Sequence, residues 1–264
     1  MKKITVHNRA NYLFGVLLAL SAGGWASAQL IPAAREQMLA YACSFALTII
    51  VTAALWWRTR RSSGAEHTFW QLLALGWSLN LAGNLAWAAR DMLTGAPAPI
   101  FSWLDAFYLA RYLLLFRACI RYPRRWRTAA WLSWSAVTLL SGSLIWLLIF
   151  RPALALPGAT LAHFWGGVFY IILDGALLTA SLLSWRAEPS GEIGATLILF
   201  TLAMLFYGVA NWLNFDVRLV SLEASSRGAA LGWLLTDLLI GVAALIHTSH
   251  RDIPKHQADT DQRG

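Results

Sequence analysis

Arg111, Asp174 and Asp237 have the strongest claim to chemistry in this 264-residue chain. Each stands about 8 to 12 residues inside a long apolar run, a depth at which a charge is costly, faces a bundle interior and finds a partner. Their placement predicts an ion pair between Arg111 and either Asp174 or Asp237. Such a pair would act as a structural clasp, a ligand anchor or a proton-coupled switch. Asn80 and Asn84 lie four apart and so share a helix face with Trp77, Trp87 and Asp91. Tyr207, Asn211 and Asn214 form a comparable stripe further on. An amide in hydrocarbon needs a hydrogen-bond partner. The two stripes therefore read either as interhelical glue where Gly83 and Gly208 allow close approach, or as the lining of a polar cavity. Asp105 has a local account. Ser102-x-x-Asp105 ahead of an apolar run is a capping box, whose hydroxyl and carboxylate meet free N–H groups at a helix start.

Several chemistries are not signalled. There is no H-E-x-x-H, C-x-x-C or Gly-rich phosphate loop. His163 and His247 fall at opposite ends of the predicted spans, so they do not share a metal. Cys43 and Cys119 fall within predicted spans and indicate neither a disulfide framework nor a metal site. Every lysine is near a terminus (Lys2, Lys3 and Lys255), which removes a retinal Schiff base. No cofactor and no catalytic residue is assigned.

The elements that hold these residues are apolar runs. The chain is 58% hydrophobic and 13% charged, about half the charged share of a soluble domain, and the charges lie between the runs. Runs of about 20 apolar residues are what 30 Å of hydrocarbon requires at 1.5 Å per residue. The fold expected is all-α, a polytopic membrane helix bundle of about eight transmembrane helices. Their approximate ranges are 12–31, 38–57, 68–89, 102–120, 129–150, 162–185, 193–215 and 229–247. The loop over 90–101 carries Gly95, Pro97 and Pro99, which break helices. The basic start at Lys2, Lys3 and Arg9, with the ending Ala26-Ser27-Ala28, also fits a secretory signal peptide. We read the first run as a retained helix, because the repeat described below needs a partner for the fifth; cleavage would leave seven helices.

Fourteen Lys and Arg residues fall on one side of this scheme and five on the other, which puts both termini in the cytoplasm. The formal charge of +8 is thereby explained by topology, and no nucleic-acid partner is implied. Residues 1–250 form a single membrane domain, and 251–264 a polar, disordered cytoplasmic tail. Gly83…Trp87 and Gly208…Trp212 share Gly-x-x-x-Trp, and Trp57-Arg58 is matched by Trp185-Arg186. The turns SSGAE and PSGE follow those pairs, and Trp103-Leu104-Asp105 corresponds to Leu235-Thr236-Asp237. The pattern predicts pseudo-repeats over 1–127 and 128–250. Four crossings per half is an even number, so the repeats would be parallel.

The hairpin between Phe69 and Arg127 resembles a recurring membrane module at the N-terminus of bacterial diguanylate cyclases and sensor histidine kinases. The residues that carry the resemblance are FWQLLALG at 69–76, Pro97, Pro99, Ser102, Asp105, Tyr108, Leu109 and Tyr112. The resemblance implies a sensory or scaffolding membrane domain, with Asp105 a structural marker. Members of that group carry an output domain after the last helix. Here a short polar tail follows, so a sensor of this kind would act through a separate protein.

The function expected is that of a non-enzymatic, sensor-like or accessory signalling module in the bacterial cytoplasmic (inner) membrane. It would bind a small ligand or a membrane partner. Its partners would be the lipid bilayer, a cytoplasmic or membrane signalling protein, and a second copy of the chain. A small-molecule transporter is the alternative, and an intramembrane lipid-acting enzyme a more distant one. The candidate polar network is Asn80, Asn84, Asp105, Arg111, Asp174, Asn211 and Asp237.

Overall fold

A computed structural model describes residues 6–28, 33–94, 102–122, 134–140, 143, 147, 161–220 and 227–247. The expected loop prolines Pro97 and Pro99, the cluster Arg124, Arg125 and Arg127, and the tail over 251–264 lie outside them. So does most of the expected fifth helix, of which 134–140 is helical.

Among the described residues there is no strand. Seven helices run in order: α1 (Val6–Ala28), α2 (Ala33–Arg61), α3 (Gly64–Thr94), α4 (Asp105–Arg121), α5 (Leu161–Ala187), α6 (Gly191–Val220) and α7 (Arg227–Ile246). Several overrun the apolar ranges expected for them. Nothing in their polar ends breaks the hydrogen-bond ladder, so the helix continues past the hydrocarbon-length core. The whole-chain expectation of eight spans is met only in part. Four described segments are long and apolar enough to cross a membrane: Ala42–Arg61, Gly167–Ala187, Gly191–Phe215 and Gly228–Ile246. The polar stripe of α3 and the charges within α4 lower the apolarity of those two helices.

Two turns are sharp for the same reason. Gly64 (φ 58°) and Gly191 (φ 69°) take the left-handed conformation open to glycine, directly after the short breaks that follow α2 and α5. Each lets the chain reverse within a few residues, so α2 lies against α3 and α5 against α6. Successive helices pack as neighbours, α4 meets α5, and α2 and α1 both pack on α7, which closes the bundle.

The interior is aromatic and tight. Phe69, Trp70, Trp77, Tyr112 and Phe200 are fully buried, and the Phe69 ring lies 5.2 Å from Trp70, 5.0 Å from Tyr122 and 6.1 Å from Phe200. Burying such side chains contributes more than any single hydrogen bond, and edge-to-face rings add to it. Glycine sets the α3–α4 spacing. A Cβ on Gly83 would stand 3.1 Å from the Phe107 Cβ and 3.1 Å from the Tyr108 ring. Outward-facing positions such as Leu85, Leu113, Leu139 and Leu140 are exposed, as a bilayer-facing surface requires.

Candidate functional site: a buried polar network around Arg111

Arg111 projects from α4 into the centre of the bundle and is 1% exposed. Its buried neighbours on α4 are Tyr112 and Leu115, while Leu113 points outward, as the helical period dictates. The guanidinium carbon lies over two rings, 4.4 Å from the centroid of Trp77 on α3 and 4.3 Å from that of Tyr207 on α6. Desolvated stacking of this kind is worth about 2 kcal/mol per ring face. Nη1 donates to the Asn80 side-chain oxygen at 2.9 Å, and Nε has no hydrogen-bond partner.

The expected ion pair is absent. No described carboxylate is in ion-pair contact with Arg111, and its polar contact is an amide. The physical reason is visible in the packing: each acid already has neutral donors, and Trp77 links Arg111 to Asp237. Trp77 turns one face to Arg111 and donates its indole N–H to Asp237 Oδ1 at 2.8 Å. The second oxygen of Asp237 accepts from the Thr48 hydroxyl of α2 at 2.7 Å. Asp174, on α5, accepts from the Tyr112 hydroxyl and from Asn211 Nδ2, at 3.0 Å to Oδ2. Both acids are thus satisfied by neutral donors, and the guanidinium has an amide oxygen and two ring faces as its contacts.

The remaining predicted residues join the same region. Asn211 also donates to the Tyr112 hydroxyl at 3.1 Å, and its own oxygen accepts from the Trp233 indole of α7 at 3.0 Å. Asn84, one turn along α3 from Asn80, accepts from Tyr108 at 2.7 Å. Gly208 leaves room for Asp174: a Cβ there would stand 3.3 Å from the Asp174 Cβ. The glycine-and-amide pairing is interhelical glue. Asp91, expected on the Asn80 stripe, is exposed and sits 3.7 Å from Arg90.

Asp105 is half of the capping box and more besides. Its Oδ2 accepts from the Ser102 backbone N–H at 2.6 Å, as a reciprocal cap would. The Ser102 hydroxyl instead accepts from the Leu104 N–H two residues on, at 3.2 Å, because the chain makes a turn before α4 begins. Asp105 Oδ1 accepts from Tyr170 on α5 at 2.5 Å. The carboxylate is therefore both a cap and a cross-helix tie.

Thr48, Tyr170 and Trp233 belong to the network and were not singled out from the sequence. Threonine in an apolar run and tryptophan in a Trp-rich chain carry no distinguishing signal. Tyr112 was visible only as part of a family-like stretch. Buried tyrosine and tryptophan usually take a partner for their polar atom, and three buried acids supply it to Trp77, Tyr112 and Tyr170.

A second cluster lies at the other end of the bundle, where α2, α4 and α5 end in arginine. Arg58 is fully buried and donates Nε to the Ala244 carbonyl at 3.1 Å, on the last turn of α7, where the helix dipole favours a cation. His247 follows directly. Its Nδ1 meets the Thr196 hydroxyl of α6 at 3.0 Å, its ring packs 5.3 Å from Trp70, and Nε2 stands 3.6 Å from Glu66. Burial, then the nearby Arg58 charge, push the imidazole below the ordinary histidine range, against a smaller pull from Glu66.

Comparison with family models, curated proteins and solved structures found no match to this chain, so its function is read from its own geometry.

Proposed function

We propose that this chain is a non-enzymatic, sensor-like module of a bacterial inner membrane, and that the network around Arg111 is its switch. In this reading eight helices form two parallel repeats with both termini in the cytoplasm. The matched left-handed glycines, Gly64 and Gly191, support the repeat, since they sit 127 positions apart at equivalent turns. The resemblance of the α3–α4 hairpin to sensor modules supports the signalling role. Output would pass to a separate membrane or cytoplasmic protein.

The observation that carries the reading is a buried cation held away from its acids. Arg111 has one side-chain hydrogen bond, to Asn80, and lies between Trp77 and Tyr207, while Asp174 and Asp237 are satisfied elsewhere. If the Trp77 ring turned and released Asp237, the guanidinium and that carboxylate would be free to pair directly, which gives two packings of one set of side chains. A ligand or partner with different affinity for the two would shift the population between them. Six helices contribute side chains, so the shift would be felt throughout the bundle.

The test is affinity purification of the tagged full chain from native membranes, with bound proteins identified. The expected result is a kinase, cyclase or regulator that co-purifies with the wild type and is recovered at an altered level with Arg111→Gln of matched membrane abundance. Recovery of no signalling protein, or equal recovery with both, overturns the reading. Cation-coupled transport is a second reading, favoured by the excess of buried acids over Arg111 in the same network. It requires proton- or sodium-dependent uptake by vesicles carrying the purified chain.

A further inference from the structure

The outward face of α4 carries a feature the interior network does not use. Leu113, Leu114, Phe116, Arg117, Ile120 and Arg121 line an open groove of about 430 Å³. Its apolar floor is exposed: Leu113 is 72% accessible. Phe116 meets Trp134 edge-to-face, with ring centroids 6.1 Å apart, which holds that ring of the lining in place.

Arg117 and Arg121 stand one helical turn apart on this face. Both are exposed, and among the described residues neither makes a hydrogen bond or an ion pair. They lie at the end of the bundle where the arginines of α2 and α5 also gather. The groove therefore has an oily floor about 12 Å long, by helix rise, and a doubly cationic rim at the level where a bilayer turns polar.

We infer that this groove binds an anionic phospholipid, with the phosphate between Arg117 and Arg121 and an acyl chain along Leu113, Leu114, Phe116 and Ile120. Guanidinium is suited to the task because its planar fork matches phosphate oxygens in a bidentate way. A zwitterionic headgroup brings its own cation into this field and is disfavoured; a free phosphate would leave the apolar floor unused. Two arginines one helical turn apart at one headgroup distinguish this site from the general attraction of a basic surface, which is diffuse.

The experiment is native mass spectrometry of the delipidated full chain in detergent, titrated with phosphatidylglycerol or with phosphatidylcholine. One tightly retained phosphatidylglycerol is expected, with phosphatidylcholine retained at least about fivefold less well. Arg117→Gln/Arg121→Gln should weaken phosphatidylglycerol retention at least about tenfold, since each arginine near a headgroup is worth about a factor of five. Arg60→Gln/Arg186→Gln removes two other exposed arginines at the same end and should leave retention unchanged. Leu113→Trp fills the floor from an exposed position, keeps both arginines and should also reduce retention. Equal loss in the two double variants would reduce the effect to bulk charge and overturn the site. So would displacement of the lipid by inorganic phosphate alone, retention unaffected by Leu113→Trp, or a dimer of the chain in place of the lipid adduct.

Discussion

At the residue scale the central fact is that Arg111 is stabilised without a carboxylate in contact. Its stability comes from two ring faces and one amide oxygen. Arg111→Ala is expected to destabilise the folded protein by about 2–4 kcal/mol, because the lost stacking and charge-assisted hydrogen bond are partly offset by no longer burying a charge. Arg111→Lys should recover less than half of that, because an ammonium lacks the flat surface that fills the gap between Trp77 and Tyr207. Thermal unfolding in detergent measures both. Equal stability of the lysine variant and the wild type would mean that charge alone matters at this position. Trp77 deserves the companion measurement. Its indole N–H and its ring face serve opposite charges at once, so Trp77→Phe with Asp237→Asn should show a coupling of about 0.5–1.7 kcal/mol in a double-mutant cycle. An uncoupled pair would contradict the indole–carboxylate bond. The acids, the arginine and the asparagines were all legible in the sequence, since buried polar residues stand out in apolar runs. Their pairing was not, because a ring that meets a cation on its face and an acid through its N–H leaves no trace in spacing.

At the element scale, α3 and α4 meet through glycine. Gly83→Ala would bring a methyl group to 3.1 Å from both Phe107 and Tyr108, and the Phe107 contact is to its Cβ, which a rotamer change cannot withdraw. The helices must separate slightly, at an expected cost of about 1–3 kcal/mol. The same separation would lengthen the Tyr108–Asn84 bond, so the loss should exceed that of Tyr108→Phe alone. Gly175→Ala on α5 is the contrasting case. Nothing lies within 4 Å of the new Cβ, so alanine should stabilise the helix by up to about 1 kcal/mol through propensity. Reversal of these two signs in thermal unfolding would remove close packing as the role of Gly83. The helices themselves were legible from length and apolarity. Their ends were less so, because α2 and α3 continue as helix through polar residues that lack a breaker until the turn at Gly64. The two-sided role of Asp105 was legible only as a cap. A local motif shows the bond to Ser102, while the bond to Tyr170 joins residues 65 apart.

At the scale of the whole molecule, His247 joins the end of α7 to α3 and α6 and lies beside Arg58 of α2. Its folded form favours the neutral imidazole, so the unfolded chain binds more protons below the ordinary histidine value of about 6.5. Stability from this group is fully present above that value and is lost as the pH falls through it. Acidification from about pH 8 to pH 5 should lower the unfolding temperature, and His247→Gln should reduce that slope. An unchanged slope in the variant would assign the pH response to other groups. The amino-acid sequence by itself determined a membrane-crossing helical chain with its arginines gathered toward one end, because hydrocarbon thickness and the cost of buried charge act on each segment separately. It also singled out Arg111, Asp174 and Asp237 as the costly residues of the interior. Only the tertiary structure decided that Arg111 meets Asn80, Trp77 and Tyr207 while Tyr112 and Asn211 take Asp174 and Trp77 and Thr48 take Asp237. The reason is physical: the partner of a buried charge is whichever group the packing of six helices brings within reach, and a neutral donor or an aromatic face can serve as well as an opposite charge.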